Sequence, residues 1–178
     1  ILTNRQVMQV LFDDDQRAVG IEYIDNCFDR SSIMKARKEI ILSAGAINTP
    51  KLLMLSGIGP KAHLAEHGIE ARVDSPGVGE HLQDHPEVVI GWDAEKPMIE
   101  EGYQFWEIGI FADTLEGTGQ QDKEGRPDLM MHYGSVPFDM HTLRQGYPTS
   151  ENSFVLTPNI THSKSRGTVR LRSKDYRD

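Results

Sequence analysis

A single cysteine, Cys27, is all the thiol chemistry in 178 residues. No internal disulfide can form, so a reducing compartment and a cytoplasmic location are expected. Beside a strand-like run, Cys27 reads as a small apolar side chain rather than a nucleophile. Basic residues are also scarce, with 19 Lys and Arg against 27 Asp and Glu and a net charge of −8. A nucleic-acid surface needs clustered cations, so that class is excluded. The acid excess suits a small cationic ligand, though only weakly. No apolar run approaches the ~20 residues of a membrane span, and no signal-peptide pattern opens the chain. Repeats and low-complexity tracts are absent. So is an initiator Met: the chain opens on Ile1 in strand-like sequence and closes on Tyr176-Arg177-Asp178, and it is expected to be an internal piece of a longer protein.

What is present is organised around residues 39–59, EIILSAGAINTPKLLMLSGIG. Glu39 to Leu42 is a short apolar run entering a turn of small residues, which predicts a strand buried on both faces. Asn48 or Thr49 is expected to cap a helix, with Pro50 in its first position, where no amide is needed. Leu52, Leu53 and Leu55 give that helix a core side, and Ser56-Gly57-Ile58-Gly59 stops it. A strand, a tight turn and a capped helix let backbone amides approach an anionic or dinucleotide ligand. The turn is not GxGxxG, and an ordinary strand-loop-helix unit fits the same pattern.

Upstream, residues 6–12, 18–24 and 33–42 read as a three-stranded meander with polar turns. Downstream, residues 60–68 read as a short helix with Pro near its start and Gly past its end, 69–74 as an extended piece and 75–79 as a loop. From about Val88 the texture changes to strand-like pieces at 88–92, 105–111, 127–133, 153–160 and 168–172, joined by longer loops. A domain boundary is placed there, with one domain at 1–86 and the next at 87–178. The polar stretch 112–126 reads as a mobile surface loop.

Several residues carry candidate chemistry. His63-x-x-Glu66-His67 matches a zinc-protease spacing, but the helix is barely two turns long and no third ligand is evident, so solvated histidines fit better. Asp84 reads as a hydrogen-bonder at the domain junction. Glu87 lies among Pro86, Val88, Val89 and Ile90, where an ionised group needs a partner. A carboxylate with aromatic faces, such as Trp106 and Phe138, makes a receptor for a quaternary ammonium, which has no N–H to donate. Two core aromatics and one exposed acid are the alternative, and spacing does not decide between them.

Gly45-Ala46-x-x-Thr49-Pro50-x-Leu52-Leu53-x-x-Ser56-Gly57-Ile58-Gly59 resembles a signature of the glucose-methanol-choline (GMC) flavoprotein oxidoreductases, and Gly77-Val78-Gly79-x-x-Leu82-Gln83-Asp84-His85-Pro86 resembles a second element of that family. His81 stands where many members have Asn. His85-Pro86-Glu87, Trp106 to Phe111, Pro127 to Met140, Leu143-Arg144-x-Gly146-Tyr147-Pro148 and Thr157-Pro158-Asn159 are similar to the choline-oxidising branch. The likeness runs along essentially the whole chain. The loop around Gly117 to Gly125 is longer here.

The resemblance implies an α/β chain, α+β overall: part of an FAD-binding glutathione-reductase-like domain, followed by part of a sheet-based substrate domain. It implies oxidation of choline through betaine aldehyde to glycine betaine, with FAD as cofactor and O2 reduced to H2O2. Glu87 would bind the trimethylammonium group, with Trp106, Val136 and Phe138 lining the cage. His132 would sit at the substrate hydroxyl, and His85 would support it or handle a proton. Val7 would meet the adenine through its backbone, and Ser43-Ala44-Gly45 would pass near the dinucleotide. No metal, membrane or nucleic-acid partner is implied. The oligomeric state stays open, a homodimer among the alternatives. The family's N-terminal GxGxxG unit, its flavin-linking His and its C-terminal His and Asn have no counterpart in these residues, so this piece alone is expected to bind FAD poorly and not to turn over choline.

Two other readings stay open. One is a GMC alcohol or choline dehydrogenase that passes electrons to another acceptor. The other is a flavin-free binding or structural module on the same fold.

Overall fold

In a computed structural model the described residues are 1–25, 30–96, 108–119, 122, 124–135, 137–138, 143–148 and 152–178. They form two compact units, Ile1–Leu82 with Ser165–Asp178, and Gln83–Lys164. Among them no helix is long and apolar enough to cross a membrane.

The first unit opens with the expected meander. Strands β1 (Arg5–Phe12), β2 (Ala18–Asp25) and β3 (Arg30–Lys35) pair antiparallel in the order β1-β2-β3. The Asp13 to Arg17 turn is closed by mutual bonds: the Asp13 amide donates to the Arg17 carbonyl (3.0 Å), and Asp13 Oδ1 accepts the Arg17 amide (2.8 Å). Beyond Lys35 the reading of a continuing strand is corrected. Residues 39–43 are extended but pair with no strand among the described residues, and Ile41 is 77% exposed. An apolar run becomes a strand only when another edge satisfies its amides and carbonyls.

Helix α1 runs Gly45–Leu55, five residues earlier than capping by Thr49 would allow. Ala44 is the N-cap, with no side-chain cap bond. Thr49 acts from inside the helix instead, its Oγ1 accepting the Ala44 amide at 3.1 Å. Pro50 is therefore interior, and its missing amide leaves the Ala46 carbonyl without its usual donor. The helix ends as expected at Ser56, which is buried and joins two elements. Its Oγ donates to the Leu52 carbonyl (2.6 Å) and accepts the Val10 amide of β1 (2.9 Å). Ser56→Ala is expected to leave that buried amide unpaired and to cost about 1–3 kcal/mol, read as a lowered Tm in thermal unfolding.

Strand β4 (Ile58–Gly59) pairs parallel with β5 (Val73–Asp74) around helix α2 (Lys61–Glu66). Asp74 Oδ1 accepts the Lys61 amide (3.1 Å), placing a carboxylate at the start of α2, where the helix dipole favours it. The core here is Met54, Leu64 and Leu171, with Leu55, Ile69, Ala71, Val78 and Val169 packed on it.

Leu171 and Val169 come from the far end of the chain, which corrects the single cut at 86/87. Leu82 and Gly167 exchange backbone bonds of 2.9 and 2.7 Å, and the Val169 amide donates to the Gly79 carbonyl at 2.7 Å. Residues 165–178 thus belong to the first unit, and the piece expected as a strand at 168–172 is irregular, with an isolated bridge at Gly167 just before it.

The second unit is a four-stranded antiparallel sheet ordered β6-β9-β8-β7, with β6 at Ile90–Asp93, β7 at Ile108–Ala112, β8 at Leu129–Gly134 and β9 at Ser153–Ile160. Along β9 the burial alternates strictly. Ser153, Val155, Thr157 and Asn159 are buried, and Phe154, Leu156 and Pro158 are half-buried. On the latter face Trp92 stacks on Phe154, with ring centroids 5.3 Å apart and planes 12° off parallel, and Tyr133 leans against the same ring at 6.1 Å. The stretch read as a mobile loop is held by local bonds. The Thr114 amide and hydroxyl both donate to Asp128 (2.6 and 2.5 Å). The Arg126 guanidinium beside Asp122 holds that carboxyl down at about 2.

Candidate functional site

Two arrangements bear on function, one in each unit. In the first, a cleft of about 530 Å³ lies between the start of β1, the extended run before α1 and the N-terminal turns of α1. Val7, Ser43 and Ala44, singled out in the sequence for a cofactor, all line it. Gly45 follows them at φ +87°, a left-handed conformation that favours glycine, and a Cβ there would meet nothing within 4 Å. The first amides of α1 have no acceptor within the helix. Arg5, Asn48 and Lys51 add donors, and no carboxylate lines the cleft. Amides at a helix start, basic side chains and apolar walls suit an anionic dinucleotide, so the residues present fit FAD.

Nothing local in the sequence marks the cleft's far wall. Tyr176 lines it from the returning segment, and its carbonyl accepts bonds from Gln6 Nε2 (3.4 Å) and Lys51 Nζ (2.8 Å). This link joins residues 170 and 125 apart in sequence, beyond the reach of any periodicity.

In the second unit, Glu87 forms an isolated antiparallel bridge with Asn159 of β9. The Val88 amide donates to the Pro158 carbonyl (3.1 Å) and the Ile160 amide to the Pro86 carbonyl (3.3 Å), stitching 86–88 to 158–160. On β8, His132 lies opposite Thr157 of β9 and Gly109 of β7. Directly opposed residues of an antiparallel pair project to the same side, as do residues two apart on one strand. Glu87, Asn159, Thr157 and His132 therefore share one face. Glu87 is exposed, His132 half-buried, and Thr157 and Asn159 are 0% and 3% exposed. Thr157 Oγ1 and Asn159 Oδ1 are buried there without a hydrogen-bond partner among the described residues.

The remaining sequence candidates are distributed as follows. His85 is exposed, and its amide is held by Asp84 Oδ1 at 2.9 Å, the hydrogen-bonding role read for Asp84. Phe138 is half-buried, four residues past the end of β8. Trp106 and Val136 lie outside the described residues, as does Cys27. Asn159 and Thr157 were not singled out individually. Their signal was the polar residues Ser153, Thr157 and Asn159 on one phase of an eight-residue strand whose other phase is apolar.

His63, Glu66 and His67 do place their ligand atoms within 4.8 Å of one another. Their bonds give them a different role. His63 Nε2 accepts the Leu171 amide at 3.0 Å, which puts the ring proton on Nδ1, facing Glu66 Oε2 at 3.3 Å. A metal at Nδ1 would have to displace that proton, and a metal at Nε2 would orphan the Leu171 amide. His67 packs edge-on against the His63 ring at 4.9 Å. The trio fastens the returning segment to α2.

Residues 1–87 match the model of the GMC oxidoreductase family. The whole chain is similar to the choline oxidase of Arthrobacter globiformis, 62% identical over 178 residues that make up 32% of that protein. An oxygen-dependent choline dehydrogenase of Brucella canis is 36% identical over 188 residues, covering 93% of this chain and 32% of the relative. A solved formate oxidase from Aspergillus oryzae, studied for its FAD modification, shares the fold at a TM-score of 0.80 and 23% identity, covering 97% of this chain and 37% of its own. The chain thus spans about a third of the length of the curated relatives it matches. Over its first 87 residues the chain matches the GMC oxidoreductase family, and along its full length it is similar to choline-oxidising relatives.

Proposed function

We propose that this chain is the part of an FAD-dependent choline oxidase that carries the choline-binding carboxylate and one wall of the flavin cleft. The supporting observation is Glu87 and His132 on one sheet face, in a chain so similar to a choline oxidase. Choline offers a trimethylammonium group, which can be held only by charge and by aromatic faces, and a hydroxyl that must lose its proton. Glu87 supplies the charge. Trp106 and Phe138, with Val136 beside them, supply the cage. His132 orients the hydroxyl and stabilises the negative charge that develops on its oxygen. His85 supports that step or carries the proton away. Holding both ends of so small a substrate fixes its reacting carbon, and orientation of this kind is worth far more than affinity.

On the cofactor side, Val7 meets the adenine through its backbone, and Ser43, Ala44 and Gly45 pass the dinucleotide at the start of α1. FAD held along Val7, Ser43 and Ala44 would supply the redox chemistry, a hydride acceptor for the alcohol that O2 can reoxidise. The product, betaine aldehyde, hydrates to a diol that presents a second hydroxyl to the same groups, and its oxidation gives glycine betaine. Residues 83–164 then serve the substrate, and residues 1–82 with 165–178 the cofactor. A cytoplasmic setting fits the single thiol.

The test is oxygen uptake by the complete, FAD-loaded protein given choline, with an unbranched alcohol of similar size as control. Choline-dependent uptake with peroxide formation supports the oxidase. Flavin reduction by choline without uptake makes the protein a dehydrogenase with the same substrate site. Neither response removes choline as the substrate.

A further inference from the structure

Asn159 sits where the backbone and the substrate-binding carboxylate meet. Its strand is stitched to the Glu87 segment on both sides, through Val88 to Pro158 and Ile160 to Pro86. Those bonds set the position of the Glu87 backbone but leave its side chain free to rotate into solvent, where it is exposed. Among the described residues, the group that meets that carboxylate is the Asn159 amide, with Nδ2 at 3.5 Å from Oε2. A carboxylate only accepts, so the NH2 end of the amide must face it. The other end, Oδ1, is then turned into the buried sheet face with no donor. An aliphatic side chain of similar size would fill the place without that orphan, so stability does not explain an amide here.

We propose that Asn159 is a positioning residue for Glu87, selecting the carboxylate orientation that receives a quaternary ammonium. This rests on the choline reading above. Donation from Nδ2 holds Oε2 and leaves the rest of the carboxylate to meet the cation. The side chain does not touch the reacting atoms, so it acts on recognition of charge and not on the chemical step.

The test is steady-state kinetics of the complete, FAD-loaded protein carrying Asn159→Leu or Asn159→Asp. Two substrates are compared, choline and its neutral carbon isostere, in which a tert-butyl group replaces the trimethylammonium. Asn159→Leu keeps the buried volume and removes the donor. It is expected to raise the KM for choline roughly tenfold, the size of coupling usual between residues in contact. kcat, and kcat/KM for the neutral alcohol, stay within about twofold, and Tm does not fall. Asn159→Asp keeps the shape and adds negative charge, which by itself would attract the cation. It is nevertheless expected to lose choline affinity, because it lacks the donor and repels Glu87. Equal losses for both alcohols, a lowered Tm with unchanged discrimination, or an Asn159→Asp variant that binds choline more tightly would each overturn the proposal. If the native protein does not prefer choline over its isostere, the choline reading falls and takes this one with it. If the native protein has that preference and Asn159→Leu retains it, only the role of Asn159 falls.

Discussion

Glu87→Gln is expected to weaken choline binding by the complete protein about a hundredfold, the mid-range cost of removing one partner from a desolvated charge pair. The substitution keeps size, shape and one carbonyl acceptor, so the fold and the bridge to Asn159 survive. What disappears is the charge, and a trimethylammonium group has no proton through which a neutral amide could hold it. The loss is confined to cations: the tert-butyl isostere has no charge for Glu87 to meet, and its affinity should be unchanged. Equilibrium titration of both ligands checks this. Choline affinity within about twofold of the native value would remove Glu87 from the site.

The second large effect concerns the fold. Gly79 sits at φ +79°, and a Cβ on it would lie 2.3 Å from the Val169 carbonyl oxygen, a contact no side-chain rotation can relieve. Left-handed backbone costs an alanine about 1–2 kcal/mol before any clash. Its own carbonyl accepts the Val169 amide, so a shift that relieves the clash also pulls on that bond. Gly79→Ala is expected to cost roughly 3 kcal/mol, the upper end for single substitutions. It should loosen the returning segment, which supplies Leu171 to the core and Tyr176 to the cleft. Hydrogen exchange at the Gly167 and Val169 amides reads this directly, and protection equal to that of the native chain would refute it.

These two residues also show what could be read in the sequence. Gly79 and Glu87 stood inside recognisable motifs, and strands β1, β2 and β9 stood in strand-like sequence, with burial alternating strictly along β9. The cofactor-side residues Val7, Ser43 and Ala44 were named in advance and line one cleft. The misses have a common cause. Glu39 to Leu42 has the composition of a buried strand, but a strand is a property of two segments, and nothing local supplies the second. Helix α1 starts at Gly45 because a left-handed residue can open it, and side-chain preference at Asn48 or Thr49 cannot outweigh that geometry. The return of residues 165–178 depends on single bonds such as Leu171 to His63, which span 108 positions and leave no periodic trace. Asn159 was hidden differently: in a sheet its polarity signals function only once its neighbour across the bridge is known to be Glu87.

The exchange of backbone bonds between Leu82 and Gly167 has a topological consequence. Everything from Gln83 to Lys164 leaves the first unit and returns to it at one paired point, so in chain order the second unit is an insert in the first. An insert with adjoining ends can be lengthened, trimmed or traded for another without changing the path of its host, since only the spacing of the two entry strands has to be kept. A lineage can in this way recast the alcohol a protein accepts while the walls around its redox group are inherited intact.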